Sequence, residues 1–220
     1  MNKILVWDLP LRLFHWLLVV LVVVSFISVQ IGGNAMRIHM LSGYAVLALV
    51  LFRILWGFFG STHARFASFV RGPAAAIAYL SALRRKEASQ HLGHNPAGAW
   101  SVVVMLIVLL VQAGTGLFAN DDIATEGPLA KLVSKALSDR ITGIHYLNVK
   151  LLFALIALHL SAVAFYVIGK HEDLVKPMIT GFKEAVVGKA ETVPHPARIR
   201  LAALLLAVCA AGVYLLVKTS

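Results

Sequence analysis

Charge is scarce in this chain, and acidic charge scarcest: Asp and Glu together number 10 of 220 residues, against 20 Lys and Arg. Charged residues reach only 14% of the sequence and hydrophobic ones 60%, a balance that cannot cover the surface of a water-soluble domain of this length. Cysteine is nearly missing. The single Cys209 excludes an intramolecular disulfide, a thiolate-held iron–sulfur cluster and a Cys-x-x-Cys-His attachment site. No long polar or low-complexity block separates two cores, so the sequence reads as one membrane-embedded unit. A removable signal peptide is not expected either. Lys3 does precede an apolar stretch, but Asp8, Pro10, Arg12 and His15 interrupt it and no small-residue cleavage site follows.

Long apolar runs fill the remaining space. Five of them, at residues 11–30, 38–59, 97–118, 144–168 and 201–217, are long enough to cross a hydrocarbon core of about 30 Å as helices. Helix is the expected form because an apolar run in lipid must pair its own backbone groups, and no barrel-like alternation is present. The formal net charge of +10 does not point to nucleic acid, because the basic residues lie in short segments between the apolar runs. Arg65, Arg71, Arg84, Arg85 and Lys86 follow the second run. Lys170, Lys176, Lys183, Lys189, Arg198 and Arg200 follow the fourth. The other two connections are close to neutral or acidic. The positive-inside rule then predicts a cytoplasmic N-terminus and, after five spans, a C-terminus outside the membrane, periplasmic in a bacterial inner membrane. In the connection before the fourth span, Leu129, Leu132, Val133 and Leu137 recur at spacings of three and four, which predicts a short amphipathic helix on the outer surface.

Four of the nine histidines fall in or at the ends of these runs: His15, His39, His145 and His159. Ionisable groups at that depth are costly, and neutral imidazole is the usual protein ligand of haem iron. His145 and His159 are 14 residues apart, a rotation about 40° short of whole turns, so both face the same neighbours while standing roughly 21 Å apart along the axis. Depth selects their partners. His15 starts from the cytoplasmic side and pairs with His159, whereas His39 starts from the outer side and pairs with His145. Arg53 lies 14 residues after His39 and so shares its face at the inner depth. A buried Arg needs an anion, and a haem propionate would serve; snorkelling to the headgroups is the alternative. Lys150 is a weaker propionate candidate on the outer side, because it points away from the face of His145. His91 and His94 form a His-x-x-His pair that could bind a metal, but with no further ligands beside them a solvated loop is the better reading.

Taken together, Arg12-Leu-Phe-His15-Trp16, His39-x-x-x-Gly43-Tyr44, Arg53-x-x-Trp56-Gly57, Thr115-Gly116-Leu117-Phe118 and the His145/His159 pair resemble the bacterial cytochrome b561 family, in the branch related to the b-type subunits of nickel–iron hydrogenases. The resemblance runs from Val6 to about Phe182. It implies an all-α, integral membrane four-helix bundle at residues 1–182 that binds two b haems through His15, His39, His145 and His159. Residues 183–220 would add a cytoplasmic linker, through Pro194-His195-Pro196, and a fifth transmembrane helix outside the family core. Gly43 and Gly116 would let a porphyrin approach the helix backbone, although close helix–helix contact is the commoner use of such residues. The implied function is electron transfer across the inner membrane, between the quinone pool and a periplasmic partner such as a c-type cytochrome, a dehydrogenase or a hydrogenase-type enzyme. Two other functions fit the same residues: a stand-alone superoxide:quinone oxidoreductase, and a haem-free anchor or transporter.

Overall fold

A computed structural model describes residues 3–87, 91–123, 125–184 and 198–219. Helix α1 spans Leu9–Ile31. Asp8 starts it, accepting from the Leu11 N–H at 2.7 Å, and Pro10 occupies the first turn, where no donor is needed. Gly32 and Gly33, both at positive φ, turn the chain within four residues into α2, Met36–Phe59. Two shorter helices follow, α3 at Phe66–Phe69 and α4 at Pro73–Arg84, before Asn95 caps α5, Pro96–Gly116. Ser134 caps α6, Lys135–Ala164, which continues through a π-helical turn at Phe165–Gly169. The short α7, Val175–Thr180, and α8, Ile199–Lys218, complete the helices.

Five helices are thus long and apolar enough to cross a membrane, within a few residues of the five apolar runs except at the fourth, where α6 begins nine residues earlier. The protein is an all-α membrane bundle. Large apolar side chains such as Val20, Leu147 and Leu160 stand exposed around it, as lipid-facing positions must. Helix α2 is central: it packs against α1, α5 and α8, and Val50, Phe52 and Trp56 on it anchor the core with Phe14, Leu106, Leu109 and Leu152. Helix α6 makes its close backbone packing with α5; across to α1 it is spanned by side chains, including the edge-to-face pair Phe26–Phe153.

On the side carrying the basic connections, the chain ends of the four-helix core are tied together. Strand β1, Lys3–Leu5, pairs antiparallel with β2, Phe182–Glu184. The Val6 and Trp7 N–H groups then both donate to the Gly181 carbonyl, at 2.8 and 3.1 Å. Gly181 itself is left-handed, with φ of 91°, and a Cβ there would meet the Trp7 carbonyl. Only glycine fits.

One expectation is corrected. The outer connection holds a 3-10 turn at Ala130–Leu132 and no separate amphipathic helix. Val133 is extended, Ser134 caps α6, and Leu137 already belongs to that helix; Leu129 is buried against Leu117, Leu47 and Val213, while Leu132 faces outward. The basic connection after α2 carries two of the helices, α3 and α4. Its α4 buries Tyr79 and hangs on α5, and the Trp100 indole donates to the Arg71 carbonyl at 2.9 Å. The Pro194-His195-Pro196 joint lies outside the described residues.

One packing contact inside the Arg53-x-x-Trp56-Gly57 segment is tight enough to test. A Cβ on Gly57 would overlap the Phe66 ring, which in turn lies 5.0 Å from the Arg53 guanidinium carbon. Gly57→Ala is expected to cost about 1–3 kcal/mol by forcing that ring out of place. An unfolding midpoint in detergent equal to that of the parent protein would show that Phe66 does not depend on the missing side chain.

Candidate functional site

The four membrane histidines come together in two facing pairs. His15 on α1 and His159 on α6 have ring centroids 6.5 Å apart, and His39 on α2 and His145 on α6 are 6.3 Å apart. An iron held between two imidazoles at about 2 Å per bond separates their centroids by about 6 Å, so both spacings suit a bis-histidine centre. The pairs lie at opposite ends of α6. His15 stands six residues into α1, on the basic side, and His39 three residues into α2, on the other.

The far pair is held by its surroundings. His39 Nδ1 lies 2.8 Å from the Ser25 carbonyl, so an Nδ1–H donates there and Nε2 is left to bind a metal. His145 Nδ1 sits 3.0 Å from the Gln112 carbonyl and 3.1 Å from the Thr115 hydroxyl. Such contacts fix the tautomer and the ring plane of a ligating histidine. Gln112 also brings its side-chain amide to 3.0 Å from His145 Nε2, while its Oε1 accepts from buried Asn148 at 2.8 Å. An iron on Nε2 requires that amide to turn aside. Gly116 makes room for this ring: a Cβ there would stand 3.1 Å from His145 Cε1. That is the close contact with a facing helix that is the commoner use of such a glycine. Gly43 meets nothing within 4 Å of its missing Cβ, which leaves open space beside α2 one turn beyond His39.

Arg53 is 1% exposed, so it does not snorkel to the headgroups. Neither of its Nη atoms has a hydrogen-bond partner. A guanidinium in that state calls for an anion. Lys150, by contrast, is exposed on α6.

Close by lies a buried carboxylate that sequence reasoning treated only as an interruption of the first apolar run. Asp8 is 2% exposed and accepts from the Leu11 N–H, from Trp56 Nε1 at 3.0 Å and from the Ser61 hydroxyl at 2.5 Å. It therefore locks the start of α1 to the end of α2.

His94 differs from its expected setting. It does not lie in a solvated loop, and it does not form a metal pair with His91. Its ring packs between Trp7 and Phe69, with centroids 4.7 and 4.5 Å away, while His91 turns to Tyr79. Burial, followed by the charges of Arg53, His63 and His159, drives its pKa down to about 3, so the ring is neutral at physiological pH. Burial lowers His63 as well. A cue was present in the sequence: Asn95-Pro96 is a helix-start signal, and it anchors the residue just before it.

The observed donors suit b haem: paired imidazoles at the right spacing, open space beside α2 and an unpartnered buried arginine. Neither an individual curated protein nor a solved structure matches the chain. The family model for prokaryotic cytochrome b561 matches residues 6–181, the stretch that runs from the foot of α1 to the Gly181 turn. The chain belongs to the prokaryotic cytochrome b561 family, and is a multi-pass bacterial membrane b-type cytochrome of electron transfer.

Proposed function

We propose that this protein holds two b haems, one between His15 and His159 and one between His39 and His145, and carries electrons across the inner membrane between the quinone pool and a periplasmic c-type cytochrome or redox enzyme. The observation that carries this reading is the pair of facing rings at two depths, with α6 supplying one ring to each. Each haem iron would take up and give up one electron, a chemistry that no side chain here supplies.

The protein's own part is to place and insulate those centres. Helix α6 sets their separation, since its two histidines are 14 residues, roughly 21 Å, apart along the axis. The Ser25 and Gln112 carbonyls and the Thr115 hydroxyl orient the far pair. Arg53 offers a dry, unpartnered positive charge to a propionate of the near haem. The positive-inside rule makes the basic side cytoplasmic and places the C-terminus after α8 in the periplasm. On the opposite side, Lys135 is neutralised by ion pairs with Asp122 and Asp139. A strongly positive funnel for an anionic substrate such as superoxide is therefore not favoured there.

Oxidised and dithionite-reduced spectra of the detergent-purified protein, with haem counted by pyridine haemochromogen, test the reading. Two b haems per chain are expected. A colourless, folded protein would overturn it and favour a haem-free anchor.

A further inference from the structure

On the basic side of the bundle, Arg53 and His94 share one aromatic nest: the guanidinium lies over the Phe66 ring, Phe66 packs on Phe69, and Phe69 packs on His94. Arg53 comes from α2, buried, with both Nη atoms unpartnered. Asp8 is near enough to act on its charge, but the oxygens of Asp8 are taken by Leu11, Trp56 and Ser61, and the two residues form no ion pair among the described residues. His94 arrives from a second element, the turn capped by Asn95 at the head of α5. Its Nδ1 is also shut away from solvent without a hydrogen-bond partner. The imidazole is held on two sides by the Trp7 and Phe69 rings, so its direction is set before any ligand arrives.

A dry guanidinium and a dry ring nitrogen, neither with a partner, are costly in any fold. They cost least where a bound group supplies the acceptor. An oxyanion with two acceptor oxygens, such as a carboxylate, suits a guanidinium fork and an imidazole N–H together.

We propose that His94 is a haem-binding residue that acts through its Nδ1–H, closing with Arg53 a two-residue clamp on one propionate carboxylate of the basic-side haem. The proposal rests on the di-haem reading above. It assigns a role to a residue outside the membrane spans, and it makes the connection between α2 and α5 part of the cofactor site. The clamp also holds that connection to the bundle, because Trp7, which backs the His94 ring, belongs to the same segment as the β1–β2 ribbon.

His94→Leu and His94→Gln in the full-length haem-loaded protein test it. The readouts are the rate at which each haem passes to excess apomyoglobin and the midpoint potential of each centre. Leu removes the donor and is expected to speed the loss of one haem about tenfold. The midpoint of the same centre should fall, because its propionate charge is less well compensated. Gln restores an N–H and should bring the release rate most of the way back. The other haem serves as the internal control, and its release rate should not change. Parental release rates in both variants would overturn the clamp. Equal acceleration of both haems would overturn it too, because His94 would then act on the fold as a whole. A parent protein without haem would bring down the di-haem reading itself, a failure visible before any variant is made.

Discussion

His145→Ala is expected to remove one haem and leave the other with its bis-histidine spectrum. The expectation follows from α6 giving one ring to each layer: His145 faces His39 at 6.3 Å, and His159, which serves the other layer, lies about four turns away. The sharper result comes from pairs of substitutions. His39→Ala combined with His145→Ala should lose no more haem than either alone, because each single change already empties the same centre. His15→Ala combined with His145→Ala should lose both. Haem counts by pyridine haemochromogen on His15→Ala, His39→Ala, His145→Ala and the two combinations decide the matter. If His39→Ala and His145→Ala emptied different centres, the pairing would be wrong even in a di-haem protein.

The second large effect is structural. Asp8→Ala removes the acceptor for the Leu11 N–H, the Trp56 indole and the Ser61 hydroxyl in one step. It also takes away the negative charge that acts on buried Arg53. Stranding those donors and the cation should cost about 3–5 kcal/mol, read as a lower unfolding midpoint in detergent. Asp8→Asn keeps one acceptor oxygen but turns an amide N–H towards the remaining donors, so it should fall between the two. A midpoint for Asp8→Ala within error of the parent would mean that water replaces the carboxylate and that the hub is not closed.

The spans were legible because roughly twenty apolar residues in a row admit few structures in lipid. The relation of His145 to His159 was legible too, since it depends only on helix pitch. What the sequence concealed depends on contacts between distant residues. Nothing local in Lys3–Leu5 announces a strand, because its partner lies about 180 residues away. Asp8 looked like a break in an apolar run, and only the arrival of Trp56 and Ser61 makes it a hub. His94 looked like a loop residue for the same reason: Trp7 and Phe69, which bury its ring, come from two other segments. In α4, by contrast, the signal is local: Pro73 followed by an alanine-rich stretch is a sound helix start that needs no distant contact.

The place of α6 in the chain has a consequence for biogenesis. Each facing pair takes one ring from the first helical hairpin and the other from the fourth span, so neither can close while the earlier helices alone have emerged from the ribosome. Between the synthesis of His39 and that of His145, a translation rate of about 5–20 residues per second leaves a wait of roughly 5–20 s. During that interval His15 and His39 stand in the bilayer without their partners on α6. On the proposed di-haem reading, haem delivery would be a late event that caps assembly, with both centres becoming fillable almost together as the fourth span enters the membrane.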